Sequence, residues 1–244
     1  MPFSPPTRNL WLNRLSVDDR DALLGASVRR DLNQGDIVCE QGELLTQILF
    51  VEAGIISSVI PMADGTTVEA YMVGNEGVVG TESSFIRARS LNRLTVQATG
   101  HARAVDAETF RRQVSASESL RTALADYEWS LKAELEQSTA CNAVHIMEAR
   151  FAKWLLRCHD RTDGDTMWLT QEFLAAMLGG QRTTVNEAAQ QLQRRGAIRY
   201  SRGKITVTDR HALEAAACEC YSAVMAMRDG RSDAELAGAW RSPA

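Results

Sequence analysis

Arg182, Thr183, Asn186, Glu187 and Gln190 recur at helical spacing, while Val185, Ala188, Ala189 and Leu192 fall on the other side of the same helix. The polar set holds the residue types that read base edges in duplex DNA. Arg pairs with guanine, Asn or Gln with adenine and Glu with cytosine, and Thr meets the thymine methyl. An α-helix of this width fits the major groove. Gln181, Arg194, Arg195, Arg199, Arg202 and Lys204 flank the stretch, and Thr170 opens the helix before it. All are suited to phosphate oxygens. The window 182–210 holds seven Lys/Arg against two Asp/Glu, in a chain whose net charge is -4. A basic segment in an acidic protein fits a confined polyanion contact. A solvated Arg-rich face is the plainer alternative.

Other chemistry is sparse. There is no Ser/His/Asp or Cys/His arrangement at a known spacing, no glycine-rich phosphate loop followed by Lys and no HExxH. We therefore assign no catalytic residue and expect no enzyme. Five cysteines are an odd number, which argues against a disulfide framework. Cys218-Glu219-Cys220 with Cys141 or Cys158 would make a metal or redox pair, but small buried thiols on helices are commoner. His101, His145, His159 and His211 read as scattered, without ligand spacing. No metal is expected.

These residues need elements to hold them. Thr170 is an N-cap for a helix carrying Phe173, Leu174, Met177 and Leu178, broken by Gly179-Gly180. Gly196 ends the next helix, and Ala197–Ser201 and Lys204–Thr208 alternate about Arg202-Gly203 as a two-stranded wing. Asp160–Asp165 reads as a loop. Upstream, residues 28–106 are short Val/Ile/Leu/Phe/Thr runs divided by Gly-containing turns, the spacing of an all-β barrel or sandwich, and Asp64-Gly65 is its strongest hairpin signal. Ser16 caps a short helix that Gly25 should stop. Between the halves, Leu120, Leu124, Tyr127 and Leu131 recur at spacings of four, three and four, with Leu135 and Ser138 following. Such a seam packs either on its own barrel or on a second copy. A long helix between two domains has little core of its own to meet, which favours a parallel pair in a homodimer.

At 244 residues the chain suits two domains, and 45% apolar content supplies their cores. We divide it into a β-roll sensor (1–115), a dimerisation helix and hinge (116–145), the reader (146–228) and a small, polar tail (229–244). No apolar run approaches the ~20 residues of a membrane span. Pro2, Pro5 and Pro6 interrupt the start, which has no apolar signal region, so a cytoplasmic protein is expected.

Leu169–Ala175 through Gly179, then Arg182-Thr183-Thr184-Val185-Asn186, resembles the winged helix-turn-helix of the Crp/Fnr superfamily of bacterial transcription regulators. Gly35-Asp36, Glu40–Glu43, Phe50–Gly54, Asp64-Gly65 and Gly77–Gly80 resemble its cyclic-nucleotide-binding β-roll more diffusely. The resemblance implies an α+β fold: a double-stranded β-helix of jelly-roll type, a long dimerisation helix and a C-terminal winged helix-turn-helix. It places base reading on Arg182, Thr183 and Glu187. Members that read TGTGA-like half-sites carry Glu where Thr183 stands, so the target differs. It also places an effector pocket at Gly80, Thr81, Glu82, Ser83, Asn92 and Arg93. Cyclic-AMP binders use a Gly-Glu and an Arg-Ser pair there. Thr81 and Asn92-Arg93 depart from both, so cyclic AMP is not the expected effector, and another cyclic mono- or dinucleotide stays open. Arg93 offers a cation at a shifted position, with Glu82 as a competing partner. Cys39 alone in the first 140 residues excludes the family's N-terminal iron–sulfur cluster.

The expectation is a homodimer that binds an inverted repeat in double-stranded DNA, with RNA polymerase as a further partner and no membrane. The alternative is an effector-binding regulatory or protein-interaction protein whose winged helix is a docking module.

Overall fold

The computed structural model describes residues 7–228, so the 229–244 tail lies outside the described residues. Two short helices, α1 (Leu10–Arg14) and α2 (Val17–Ala26), precede the strands β1 (Val28–Leu32), β2 (Ile37–Cys39), β3 (Gln47–Pro61), β4 (Thr67–Val73), β5 (Val78–Val79) and β6 (Arg93–Asp106). The sheet order is β1-β6-β3-β4, with β2 also on β6 and β5 on β3. The long β3 and β6 run antiparallel from Gln47↔Asp106 to Val59↔Arg93, and their register slips between Val51 and Ile56. Glycine is required at that slip. A Cβ on Gly100 would lie 1.9 Å from the Ala53 carbonyl oxygen. Ser16 caps α2 as expected, but Gly25 does not stop it. The helix runs on to Ala26, and the Ser27 hydroxyl closes it on the Leu24 carbonyl at 2.8 Å.

Asp106 opens α3 (Ala107–Ala116) by accepting from the Glu108 and Thr109 amides. The 27-residue α4 (Glu118–Val144) and then α5 (Met147–His159) follow. The predicted dimer seam needs correction in its first half. Leu120 and Leu124 are fully buried among Trp11, Phe50 and Phe110 of the chain's own core. The Tyr127 hydroxyl donates to the Val78 carbonyl at 2.8 Å and accepts from its amide at 3.0 Å. A four-three repeat specifies one apolar face and not what covers it; here the β-domain covers it. Leu131, Leu135 and Ser138, farther along α4, are half-buried.

The chain clusters into two compact units, one of residues up to Pro61 with Tyr71–Glu128 and one of Met62–Ala70 with residues from Trp129 onward. In the second, β7 (Thr166–Trp168), α6 (Gln171–Leu178), α7 (Arg182–Arg194), β8 (Ile198–Ser201), β9 (Lys204–Val207), α8 (Arg210–Ala216) and α9 (Cys220–Arg228) complete the order. The wing is three-stranded, β7-β9-β8, because β7 pairs with β9 just after the expected loop. Among the described residues no helix is long and apolar enough to cross a membrane.

Candidate nucleic-acid interface

Local sequence sets the geometry of α6 and α7. The Thr170 hydroxyl caps α6 by accepting from the Phe173 amide at 3.1 Å. Gly179, at φ 59°, ends α6 in the left-handed conformation that a Cβ disfavours. Leu174, Met177 and Leu178 of α6 and Val185, Ala188, Ala189 and Leu192 of α7 are buried. With the inner face thus fixed, Arg182, Thr183, Glu187 and Gln190 stand exposed, and Asn186 is half-buried. Thr184 and Gln191, not singled out in the sequence, are exposed as well. Their signal was the same apolar period read more broadly.

The outer face is only lightly engaged. Arg182 pairs with Glu172 at 2.7 Å, both side chains being well over half exposed. Such a pair is worth about 0–1 kcal/mol, so a stronger acceptor displaces it readily. The Gln171 amide donates to Asn186 Oδ1 at 3.0 Å. At the wing tip Arg202 has φ 51° and Gly203 φ 73°, a turn of two left-handed residues that matches strand twist. Arg199, Arg202 and Lys204 are exposed, as are Gln181 and Arg194. The Lys204 ammonium lies 5.6 Å from the centre of the Trp168 ring.

Two members of the basic window are committed inward. Arg195 Nε lies 2.8 Å from Glu148 of α5, whose carboxylate is nearly buried, so this predicted phosphate contact doubles as a strut. Arg210 holds Asp160 and Glu214 at 2.8 Å and takes the Tyr221 hydroxyl at 2.7 Å, which removes it from the outward charge. Arg157 and Glu134 form a further ion pair, both buried. Burial pulls the Arg157 guanidinium down to about 10.

The effector residues are differently disposed. Gly80 (φ 91°) leads into a single 3-10 turn at Thr81–Ser83. The Ser83 hydroxyl donates to the Leu45 carbonyl at 3.1 Å, and Asn92 donates to the Ser58 hydroxyl at 2.9 Å. Arg93 pairs with Glu40 at 2.7 Å, so Glu40 is its partner where the sequence had pointed to Glu82. Burial pushes the Glu82 carboxyl up. A cavity of about 110 Å³ among these strands is lined by Val38, Cys39, Leu45, Leu49, Val79 and Leu94 with neighbouring polar residues, and by none of the six. Ligand pockets usually span ~300–1,000 Å³.

The histidines are not all scattered. His145 joins Cys141, Cys218 and Cys220, with their donor atoms within 4.8 Å of one another. Hydrogen bonds from the Cys218 and Cys220 thiols hold the Cys141 thiol below its usual range. The overlooked signal was Cys141-x-x-x-His145, one turn apart across the C-terminal end of α4.

A family model for the Crp-like helix-turn-helix domain matches residues 149–216. The chain carries a Crp-like helix-turn-helix domain. No curated protein sequence matches the chain. Among solved structures it is similar to the c-di-GMP-responsive global regulator CLP of Xanthomonas campestris, at 15% identity and TM-score 0.62, covering 80% of this chain and 100% of that one. It is likewise similar to a CRP-family transcriptional regulator of Thermus thermophilus, at 17% and 0.64, covering 77% and 96%. FixK2 of Bradyrhizobium japonicum matches at 16% and 0.60, covering 79% and 98%. The fold, an antiparallel β-domain followed by a helical winged domain, is that of Crp/Fnr regulators.

Proposed function

We propose that this Crp/Fnr-type protein regulates transcription by reading an inverted repeat in double-stranded DNA as a homodimer. The observation that carries the reading is α7. Its apolar face is fully spent on packing, while Arg182, Thr183, Glu187 and Gln190 face outward beside a basic wing. Docked in the major groove, Arg182, Thr183, Asn186, Glu187 and Gln190 meet base edges. Gln181, Arg194, Arg199, Arg202 and Lys204, with the capped N-terminus of α6 at Thr170, meet phosphates and set the register. Arg195 contributes its exposed edge while bound to Glu148.

Dimerisation is proposed from the architecture, with the part of α4 beyond Tyr127 as the contact, since the residues before it are committed to the β-domain. The protein acts by binding and not by catalysis, in the cytoplasm, and engages RNA polymerase at its promoters. Cyclic AMP is not its effector on this reading, because Thr81 and Asn92-Arg93 depart from the pairs its binders use, and Ser83 and Asn92 already bond within the chain. Any effector acts only through a differential affinity for two arrangements of the reader.

Fluorescence anisotropy with genomic and scrambled duplexes over a salt series tests this. We expect a dimer bound per site, a preference for particular fragments and log affinity falling linearly with log salt. Equal affinity for every duplex would favour the docking-module alternative.

A further inference from the structure

We propose that Cys141, His145, Cys218 and Cys220 form a tetrahedral Cys3His site for one zinc ion. The four donor atoms lie within 4.8 Å of one another, three of the residues being buried cysteines and the fourth a half-buried histidine. Cys141 Sγ is 3.5 Å from Cys218 Sγ, and Cys220 Sγ is 3.5 Å from His145 Nδ1. Zinc bonds of about 2.3 Å to sulfur and 2.0–2.1 Å to nitrogen, opened to the tetrahedral angle, separate neighbouring donors by about 3.5–3.8 Å. The contacts are therefore those of ligands around a single small ion. In a 4Fe–4S cluster each thiolate binds a different iron, and in a 2Fe–2S cluster two pairs of ligands sit on separate irons, so four ligands around either cluster spread wider than donors that all lie within 4.8 Å.

The surrounding groups agree. His145 presents Nδ1 to the thiols, and its Nε2 lies 3.1 Å from the Glu219 carboxylate. A carboxylate on the far ring nitrogen is the usual device that fixes a ligating histidine's tautomer and orientation. The Gln137 side-chain amide donates to Cys220 Sγ at 3.0 Å, as outer-shell donors do to metal thiolates. Binding releases the three thiol protons to solvent. Three thiolates, a neutral imidazole and Zn²⁺ leave one net negative charge. His145, 22% exposed, marks the side from which the ion enters.

Position gives the site a purpose. Cys141 and His145 lie at the C-terminal end of α4, and Cys218 and Cys220 at the turn into α9. The ion would staple these two helix ends just ahead of α5, and it would do so whether or not the DNA reading holds.

Metal-free full-length protein, reduced and handled without oxygen, is titrated with Co²⁺ and then Zn²⁺. We expect one Co²⁺ per chain, with the strong visible bands of a tetrahedral site and thiolate charge transfer in the near ultraviolet, and Zn²⁺ abolishing both. Cys218→Ser should weaken uptake at least about 100-fold, and Glu219→Gln about 10–100-fold with the tetrahedral spectrum kept. Cys158→Ser, a buried thiol outside the group, should change nothing. Should Cys218→Ser misfold, the wild-type spectrum decides alone. A weak octahedral spectrum, affinity unchanged in Cys218→Ser, a Cys141–Cys218 disulfide that survives reductant and excludes metal, or a brown iron–sulfur chromophore would overturn the proposal.

Discussion

The cassette at 80–93 and the outer face of α7 were both read from residue types, and the structure treats them in opposite ways. In the cassette, three of the polar side chains have a partner in their own domain: Ser83 the Leu45 carbonyl, Asn92 the Ser58 hydroxyl and Arg93 the Glu40 carboxylate. On α7 the apolar face does the packing, and the polar groups are left with one exposed ion pair and one amide contact. A binding residue must keep hydrogen-bonding capacity to spend on a ligand. Residue type alone shows that capacity exists; only the neighbours show whether it is used.

Substitutions probe the contrast. The largest effect is expected from the inner face of α7. Leu192→Ala should lower the unfolding free energy by about 2–5 kcal/mol, measured by denaturant titration. Arg182→Ala should leave that stability nearly unchanged, because its ion pair is in solvent, yet cost about 1–3 kcal/mol of affinity on the preferred site with relaxed base choice. Ser83→Ala should cost about 1 kcal/mol of stability by leaving the Leu45 carbonyl short of a donor, with no effect on DNA affinity at any concentration of cyclic AMP. A loss of cyclic-AMP response in that variant would erase the distinction. Arg93→Ala should cost under about 1 kcal/mol, since the Glu40 pair is over a third exposed. Smallest is Arg202→Ala: all sequences should weaken about equally, with the salt slope reduced by about one.

The reader was the more legible half because its signals are local. Thr170, Gly179, Gly196 and Arg202-Gly203 each act on their own backbone and mark the element ends where they occur. β7 escaped because three residues carry no period. The Leu120–Tyr127 seam misled because one apolar stripe serves an internal or an external partner equally well. The sequence raised Cys218 and Cys220 with Cys141 or Cys158 but missed His145, because Cys141 and Cys218 are 77 residues apart and meet only when α4 and α9 are in place. The effector residues were placed by a resemblance in sequence order, which is silent on who bonds to whom.

The most direct test of the α7 account is selection from a pool of random duplexes by the wild-type chain and by Arg182→Ala. The account predicts an enriched inverted repeat with half-sites about one duplex turn, 34–36 Å, apart. Arg182→Ala should return the same spacing with preference lost at one or two symmetric positions. Enrichment of no repeat, or of the same bases at full strength by both proteins, would contradict it.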